Sequence, residues 1–372
     1  MPYQEHELLS NDSLTNFKYG FFTNEKGSSA GGFIVEGQPT RNVNIFAPNN
    51  NPSSSGYDSP ENVASNIEEC LKEFCGFISQ NDRCFLMTSN YGGMTKHKDD
   101  PEFSKLLITV INNDNIQQIY DSALQQSEGI LNTNLHQALR QNKVAIIKGD
   151  AVVLTDISRE DIGNVYVGGF SADAHPVMLF DDQAKVCGYM AASHHILSLS
   201  GVSNVIEKMV ENGADKTRIK VIIGPGLGLH SYEMGQTVRV GTKDGGKVID
   251  ISEYLQLSQF SFAEEDGQQI LIQASEEKFL LNAPELLTMQ AEMCGLNRSN
   301  VLDMQIDTMG YNLYNPIEGK LQRITEVPEE YCFLFNSARR IKPGGWLSSD
   351  PGKYNDVART ASIMMMQKKL QP

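Results

Sequence analysis

Residues 143–228 carry the most regular hydrophobic pattern of the chain, and this pattern limits the folds that the whole sequence can adopt. Short apolar runs alternate with turns that contain Gly and Asp, which is typical of buried β-strands. The predicted strands lie in KVAIIKGDAVVLTD, NVYVGGFSADAHPVMLFDD, KVCGYMAASHH and RIKVIIGPGLG. The last run is almost continuously apolar, so we expect this strand to be central in its sheet.

Two helices are predicted in the second half of the chain. The first ends at Gly213 and carries one apolar face, formed by Val202, Val205, Ile206, Met209 and Val210. The second opens at Pro284, in PELLTMQAEMCG, and is closed by Gly295; the alternating strand NVLDMQID follows it. Strand runs mixed with helical crossovers indicate the α+β class rather than a purely doubly wound sheet.

One long segment departs from the strand pattern. Residues 98–145 are polar, rich in Asn and Gln, and contain several helix-favouring stretches. We interpret them as a helical insertion in what is otherwise a single domain spanning residues 1–372. An insertion of this length offers a surface for a protein partner.

Charge and hydropathy exclude several classes of partner. The net charge of −15 and the pI near 4.9 disfavour binding to nucleic acid or to anionic lipid. No apolar run approaches the roughly 20 residues that span a bilayer, and no signal peptide is visible. None of the six cysteines forms a CxxC pair. We therefore expect a cytoplasmic protein with reduced thiols and a small or neutral ligand; export without a signal peptide stays open.

The glycine-rich loop GPGLG, residues 224–228, follows a strand as a dinucleotide-binding loop would. Its third glycine comes one residue too early for GxGxxG, and Pro225 has no N–H to offer a pyrophosphate. We do not expect a dinucleotide site here.

Several histidines and arginines come from predicted strand ends. His194 and His195 are adjacent, so on a strand they would face opposite ways. Together with His175 and His230 they could supply zinc, which takes three or four ligands, or they could be ordinary core and surface residues. Arg339 and Arg340 follow a strand in FNSARR, where they form either a surface pair or an anion-binding fork.

Three consecutive parts of the chain carry a family resemblance: the central block ADAHPVMLFDDQAKVCGYMAASHH, the helix after it, and the segment GADKTRIKVIIGPGLGLHSYEMG. They resemble the YfiH-type laccase-domain family, whose members are also described as polyphenol oxidases and purine nucleoside phosphorylases. The family pattern runs A-D-C-x-P-V-x-L, A-x-H-A-G-W-R-G, a helix, G-A-D-x-x-R-I and G-P-x-I-G. The resemblance extends over most of the chain, because similarity is also found in YGFFTNEKGSSAG, SPENVASNIEECLKEF, GDAVVLTD and FNSARR. Residues 98–145 and about 310–330 look like insertions relative to the family.

The resemblance implies a layered α/β/β/α fold with mixed sheets and a pocket at clustered strand ends. It also implies a zinc ion held by His, Cys and His, and chemistry on purine nucleosides: phosphorolysis of the glycosidic bond and deamination of adenosine. An active protein would have this type of activity. By position in the motifs, the catalytic candidates are Asp173, His194 and Tyr91, and the candidates for binding nucleoside or phosphate are Gly224, Ser337, Arg339 and Arg340.

The sequence departs from the family at the metal site. Tyr91, in SNYGG, stands where the first zinc histidine belongs, and Ala174 stands where the cysteine belongs. Only His194 matches a ligand, and one imidazole alone does not hold zinc usefully. The resemblance therefore predicts that the ancestral zinc site is lost and that no cofactor is bound.

A relocated zinc site is the alternative, and it would use His175, His194 and His230. In a regular strand, however, His175 projects to the face opposite residue 174, unless Pro176 marks an irregular backbone. We expect that His175 does not turn towards His194.

Three functions stay open. The chain is a divergent nucleoside enzyme that uses Asp173, His194 and Arg339 or Arg340, or it is a pseudoenzyme that acts as a binding or regulatory module through residues 98–145. The third function rests on fold analogy to glutamine deamidase-like effectors. It ranks lowest because Val202 follows Ser-Gly where a nucleophilic cysteine would be needed.

Overall fold

A computed structural model describes most of the central part of the 372-residue chain. The longer described segments are 14–22, 79–88, 106–126, 143–171, 173–229, 231–240, 247–253, 270–308 and 360–367, and the short pieces are 3–4, 34–35, 38–39, 72, 74, 313–314, 321–322 and 332–333. Across this part of the chain, every helix is too short or too polar to cross a membrane.

The strands, numbered in chain order, fall into two large sheets and several small ones. They are β1 (Tyr3–Gln4), β2 (Phe17–Phe22), β3 (Ile34–Val35), β4 (Gln38–Pro39), β5 (Arg83–Thr88), β6 (Ile108–Ile111), β7 (Val144–Lys148), β8 (Ala151–Leu154), β9 (Val165–Ser171), β10 (His175–Asp181), β11 (Val186–Ala192), β12 (Lys220–Ile223), β13 (Glu233–Gly235), β14 (Thr237–Val240), β15 (Lys247–Asp250), β16 (Leu271–Ser275), β17 (Lys278–Leu281), β18 (Val301–Asp303), β19 (Leu313–Tyr314), β20 (Leu321–Gln322), β21 (Cys332–Phe333) and β22 (Thr360–Met366). The helices are α1 (Ile116–Gln126), α2 (His194–Ser198), α3 (Gly201–Glu211) and α4 (Ala283–Met293), and Arg298–Asn300 form a 3-10 turn.

Two mixed sheets of six strands each form the centre of the fold. The first has the order β1-β2-β22-β9-β5-β7, and the second has the order β18-β12-β10-β11-β8-β6. Strand β5 runs parallel to β7 and β9, and the second sheet has parallel pairs at β6–β8 and β12–β18. As the sequence predicts, β12 has a neighbour on each side, although it lies next to the edge strand β18.

The chain crosses from the first sheet to the second at two short connections. Strand β7 belongs to the first sheet and β8 to the second, and the same holds for β9 and β10. The two apolar runs on either side of each connection therefore belong to different sheets and do not pair with each other as a hairpin. The one hairpin in this region joins β10 to β11, with seven residue pairs from His175↔Ala192 to Asp181↔Val186.

The two sheets bury their facing surfaces in an aromatic core. The ring of Phe180, on β10, packs against Phe17 and Tyr19, on β2, with centroid distances of 5.5 and 5.7 Å. Met178 and Tyr189 lie in the same core and are fully buried. This inter-sheet layer removes the largest side chains from water and holds the two sheets together.

Helices α3 and α4 cover the outer face of the second sheet. Val205 and Met209 of α3 are fully buried against Leu179 and its neighbours. A Cβ at Gly188, on β11, would lie 2.6 Å from a methyl group of Val205, so the absence of a side chain there lets the helix approach the strand closely. The two mixed sheets and their helices confirm the predicted α+β class, and the helical layer on the second sheet is consistent with the α/β/β/α layering.

The helix ends follow the sequence signals. Gly213 has φ +99°, its N–H donates to Val210 O, and Ala214 N–H donates to Met209 O, which is a Schellman motif after α3. Gly295 closes α4 with φ +88°. The predicted stops at both glycines are confirmed.

Part of the segment 98–145 is not helical. Helix α1 agrees with the prediction, but Ile108–Ile111 form strand β6, which pairs in parallel with β8. Polarity misled the prediction here, because the β-branched run ITVI occupies a sheet edge, where Ile108, Thr109 and Val110 are only partly buried and Ile111 alone is fully buried. Residues 98–105 and 127–142 lie outside the described residues.

The described part of this segment also contributes to the core. Ile116 and Tyr120 of α1 are buried beside Phe85, with the rings of Tyr120 and Phe85 5.6 Å apart. Deleting residues 98–145 would therefore remove a strand and core side chains, so a deletion cannot isolate a partner-binding surface.

A buried carboxylate fixes the end of the second sheet at the β10–β11 turn. Asp181 is fully buried and accepts from Arg218 Nε and Nη2, at 3.1 and 3.0 Å, and from the backbone N–H groups of Asp215 and Ala184. Burial alone would raise the pKa of Asp181. The hydrogen bonds from Arg218 and the two N–H groups outweigh burial and hold this pKa below its usual value.

We expect Asp181→Asn to lower the free energy of unfolding by about 2 kcal/mol, because Arg218 and two N–H groups lose a charged acceptor. Asp215→Asn is the matched control: this carboxylate is 44% exposed and also pairs with Arg218, so its loss costs about 1 kcal/mol or less. Urea unfolding at pH 7 measures both.

The lowered pKa of Asp181 also sets the sign of a pH effect. The stabilisation is present above the unfolded-state pKa of about 3.9 and is lost as the pH falls through the lower folded-state pKa. The stability difference between wild type and Asp181→Asn should therefore shrink below about pH 4. An unchanged difference at low pH would contradict this role.

Candidate functional site

Several strand ends meet at one edge of the second sheet. His175, at the start of β10, is paired with Ala192, at the end of β11. Val177 is paired with Ile223, at the end of β12, and Ile223 is paired with Asp303, at the end of β18. The segments that leave or enter these ends are defined here as the rim: residues 173–175, 192–194, 224–228 and 303–308.

His175 lies at the centre of the rim and is 1% exposed. Its Nδ1 lies 2.9 Å from the carbonyl oxygen of Gly224, and its Nε2 lies 2.9 Å from that of Leu227. A neutral imidazole carries one N–H, so at least one of these contacts is a hydrogen bond in either tautomer. The ring is directed at the glycine-rich loop, and a metal ion would have to displace a carbonyl group from one of its nitrogens.

The backbone donors of the loop are used within the protein. Gly224 N–H donates to Pro176 O, Gly226 N–H to Ile306 O and Leu227 N–H to Asp173 O. Pro225 has no N–H, so the N–H groups of residues 224–227 leave no donor for a phosphate group. The carbonyl of Gly224, a predicted substrate-binding residue, faces His175, so both of its backbone polar groups are engaged.

Asp173 is a buried residue of the rim. Its side chain is buried, and its Oδ1 accepts a hydrogen bond of 3.0 Å from the hydroxyl of Thr308. Asp173 has φ +86°, a left-handed conformation that costs a non-glycine residue about 1–3 kcal/mol and persists only where neighbouring contacts enforce it. The contacts shown give Asp173 a structural task; its catalytic role stays a prediction.

Two further side chains were missed by sequence reasoning. Thr308 and Asp307 follow β18, and Asp307 Oδ2 accepts a hydrogen bond of 2.5 Å from Ser231 Oγ. The signal was present in MQIDTMG, where polar residues follow a predicted strand as they do in the other rim segments. Their proximity to Asp173 depends on the parallel pairing of β12 with β18, which the sequence does not specify.

His194 and His195 begin helix α2 rather than ending a strand, because β11 stops at Ala192. The expectation that they occupy opposite faces of a strand is therefore wrong. His194 is half-buried at the rim, whereas His195 is 1% exposed. Burial, with a smaller contribution from neighbouring His194, lowers the pKa of His195 to about 4, so this ring is neutral at pH 7.

The remaining predicted residues cannot be placed. Tyr91, His230, Ser337, Arg339 and Arg340 lie outside the described residues. The structure thus brings Asp173, His175, His194 and Gly224 to one rim. Val202, considered for the deamidase comparison, is a fully buried side chain of α3.

The donor set at the rim does not fit the metal site of the resemblance. Ala174, beside His175, offers a methyl group in place of a thiolate. Within the described segments, no three His, Cys, Asp or Glu side chains lie together in an arrangement that could hold a metal ion. Zinc and copper sites need several nitrogen or sulfur donors, which Ala174 and the engaged ring of His175 do not supply.

Comparison with known families agrees with this fold. The family model "Multi-copper polyphenol oxidoreductase laccase" matches residues 109–314, which is more than half of the chain. The chain belongs to this laccase-like family, and the predicted relationship to YfiH-type proteins is confirmed. No curated protein sequence matches the chain.

Three solved structures share the fold across almost the whole chain. YfiH, a hypothetical protein from Bacillus licheniformis, has a TM-score of 0.57 at 13% identity and covers 99% of this chain and 97% of its own. YlmD from Geobacillus stearothermophilus has a TM-score of 0.54 at 13% identity, with coverage of 95% and 93%. Protein NMB0706 from Neisseria meningitidis has a TM-score of 0.54 at 15% identity, with coverage of 99% and 100%. At these identities the similarity establishes the fold alone.

We expect Gly226→Ala to destabilise the protein, because a Cβ there would lie 2.4–2.6 Å from the ring atoms of His175. Gly235→Ala is the matched control, since its nearest neighbour would lie at 3.6 Å. Gly226→Ala should cost about 1–3 kcal/mol and Gly235→Ala less than about 0.5 kcal/mol, measured by urea unfolding. Equal effects would show that the ring does not pack against the loop.

Proposed function

We propose that this chain is a laccase-domain protein that binds a purine nucleoside at the rim and has lost the zinc-dependent chemistry of its family. The observation that carries this proposal is the pair of residues at 174 and 175. Ala174 replaces the expected thiolate, and the imidazole that follows it is committed to the carbonyl groups of Gly224 and Leu227.

The retained features support ligand binding at the same place. His194 starts α2 just after the end of β11, and Ala174 directly precedes β10. Both residues are half-buried, and the pairing of His175 with Ala192 brings these two strand ends together. An imidazole at this point can donate to or accept from a base nitrogen or a ribose hydroxyl. The neighbouring side chain of His195 is neutral at pH 7, so it adds no positive charge next to His194.

The overall charge favours a neutral ligand over a phosphorylated one. A net charge of −15 repels nucleotides unless a local basic group compensates. The candidates for that compensation are Arg339 and Arg340, and the rim loop itself offers no free N–H from residues 224–227. We therefore infer that the nucleoside is preferred over its phosphate ester.

Calorimetric titration with adenosine and inosine tests binding. We expect one nucleoside per chain for the wild type, and an affinity reduced about tenfold by His194→Ala, which corresponds to about 1.4 kcal/mol for a lost hydrogen bond. Lys185→Ala is the control, because Lys185 lies in the turn at the opposite end of β10 and β11 and pairs with Asp156 at the surface. No heat of binding for either nucleoside would refute the proposal.

The same samples test the loss of catalysis. Incubation with inosine or adenosine in phosphate buffer should release no free base and no ammonia. Protein purified without a histidine tag should hold far less than one zinc per chain. Stoichiometric zinc that disappears in His194→Ala, together with base release, would overturn the loss of zinc chemistry while leaving nucleoside binding intact.

Restoring the missing ligands tests the geometry of the degenerate site. We expect the double variant Tyr91→His, Ala174→Cys to gain stoichiometric zinc, and the gain to be abolished by adding His194→Ala. Each single variant serves as a control, since two donors should bind zinc much more weakly than three. A double variant that folds and still binds no zinc would show that residue 174 does not face His194.

Partner binding through residues 98–145 stays a prediction. Because β6 and α1 are built into the core, substitutions on the exposed positions of α1, such as Asp121, are the suitable probes.

A further inference from the structure

Three chain segments are joined at the rim by a closed set of hydrogen bonds. Leu227 N–H donates to Asp173 O at 2.9 Å, which joins the loop 224–228 to the start of β10. Gly226 N–H donates to Ile306 O, and Thr308 N–H donates back to Gly226 O at 2.8 Å, which joins the loop to the segment after β18. The Thr308 hydroxyl completes the set by donating to Asp173 Oδ1.

The side chain of His175 contacts the loop that these hydrogen bonds hold. Its two ring nitrogens face the carbonyl oxygens of Gly224 and Leu227, one at each end of the tight part of the loop. The ring also lies so close to Gly226 that a Cβ there would be 2.4–2.6 Å from its atoms, which leaves no room for a methyl group. A single buried side chain thus spans the loop and contacts its beginning, middle and end.

We propose that His175 is a positioning residue that holds loop 224–228 against the strand ends and so fixes the place of Ala174 and His194. Its effect on ligand binding rests on the proposed function. Where the resemblance implies a metal ion at these strand ends, this chain has contacts between an imidazole and backbone carbonyl groups. Through Leu227 and Thr308 the same loop holds the left-handed backbone of Asp173 in place.

The physical reason lies in the buried carbonyl groups. Gly224 and Leu227 are buried, so without the imidazole the carbonyl oxygen that accepts its N–H loses a donor that water cannot easily replace. The loop would then open to recover solvent contacts, and the backbone on either side of Ala174 would lose its anchor. A hydrophobic replacement fills the space of the ring but leaves that acceptor without its donor.

The variants His175→Leu and His175→Gln separate positioning from general stability. Leucine removes both contacts, whereas glutamine keeps an N–H2 group that can donate to one or both carbonyl groups. The control is a fully buried residue near the carboxyl end of α3, away from the rim. Met209→Ala and the milder Met209→Val allow the loss of Tm to be matched to that of His175→Leu.

Hydrogen exchange measures whether His175 holds the loop. In His175→Leu, the amides of Gly226, Leu227 and Thr308 should exchange at least about tenfold faster than in the Met209 variant of equal Tm, since a lost hydrogen bond is worth about a factor of ten. His175→Gln should recover at least part of this protection. Equal exchange in the His175 and Met209 variants would overturn the proposal.

Nucleoside affinity measures whether the held loop matters for the site. His175→Leu should weaken adenosine binding about tenfold, His175→Gln should restore part of it, and the matched Met209 variant should bind like wild type. Equal affinities in all variants, with faster exchange only in His175→Leu, would reject the positioning role. If wild type itself binds no nucleoside, the proposed function fails, and the exchange data alone decide whether His175 holds the loop.

Discussion

The burial of two sheet faces against each other is the interaction on which the rest of the structure depends. Phe17, Tyr19 and Phe180 meet in this layer, and none of them could be removed from water by a single sheet. The chain supports the layer by crossing between the sheets at Gly149–Asp150 and again between the end of β9 and the start of β10, so that consecutive strands lie on opposite sides of the core. The second crossing is also where the candidate site forms.

The position of the candidate site at a crossing between the two sheets explains why the rim contains many hydrogen bonds. A short crossing leaves the regular ladder of one sheet before it joins the other, and its backbone groups must find partners elsewhere. At Asp173 the backbone carbonyl accepts from the Leu227 N–H of the glycine-rich loop, and the side-chain carboxylate accepts from the hydroxyl of Thr308. In the resemblance a metal ligand stands at this crossing; here Ala174 takes that position, and the neighbouring His175 provides the cross-links. The described residues of the rim are therefore joined by protein hydrogen bonds alone.

Much of the architecture was readable because the relevant signals are local. The ends of α3 and α4 follow from Gly213 and Gly295, whose left-handed φ only glycine adopts without cost. The predicted strands exist because their apolar runs bury both faces. The prediction failed at β6 and at His194, where the outcome depends on which segment is available as a neighbour. Ile108–Ile111 became a strand because β8 offers a free edge, and His194 entered a helix because β11 ends with its pairing to β10.

The sequence by itself determined the α+β class and the principal strands and helices of the central region. These follow from periodicity, from glycine stops and from side-chain chemistry, which do not require knowledge of distant contacts. Only the tertiary structure decided that consecutive strands separate into two sheets and that His175 faces the carbonyl groups of Gly224 and Leu227. Residues 175 and 227 are far apart along the chain, and the direction of a buried imidazole is set by whichever acceptors the packed strands bring to it.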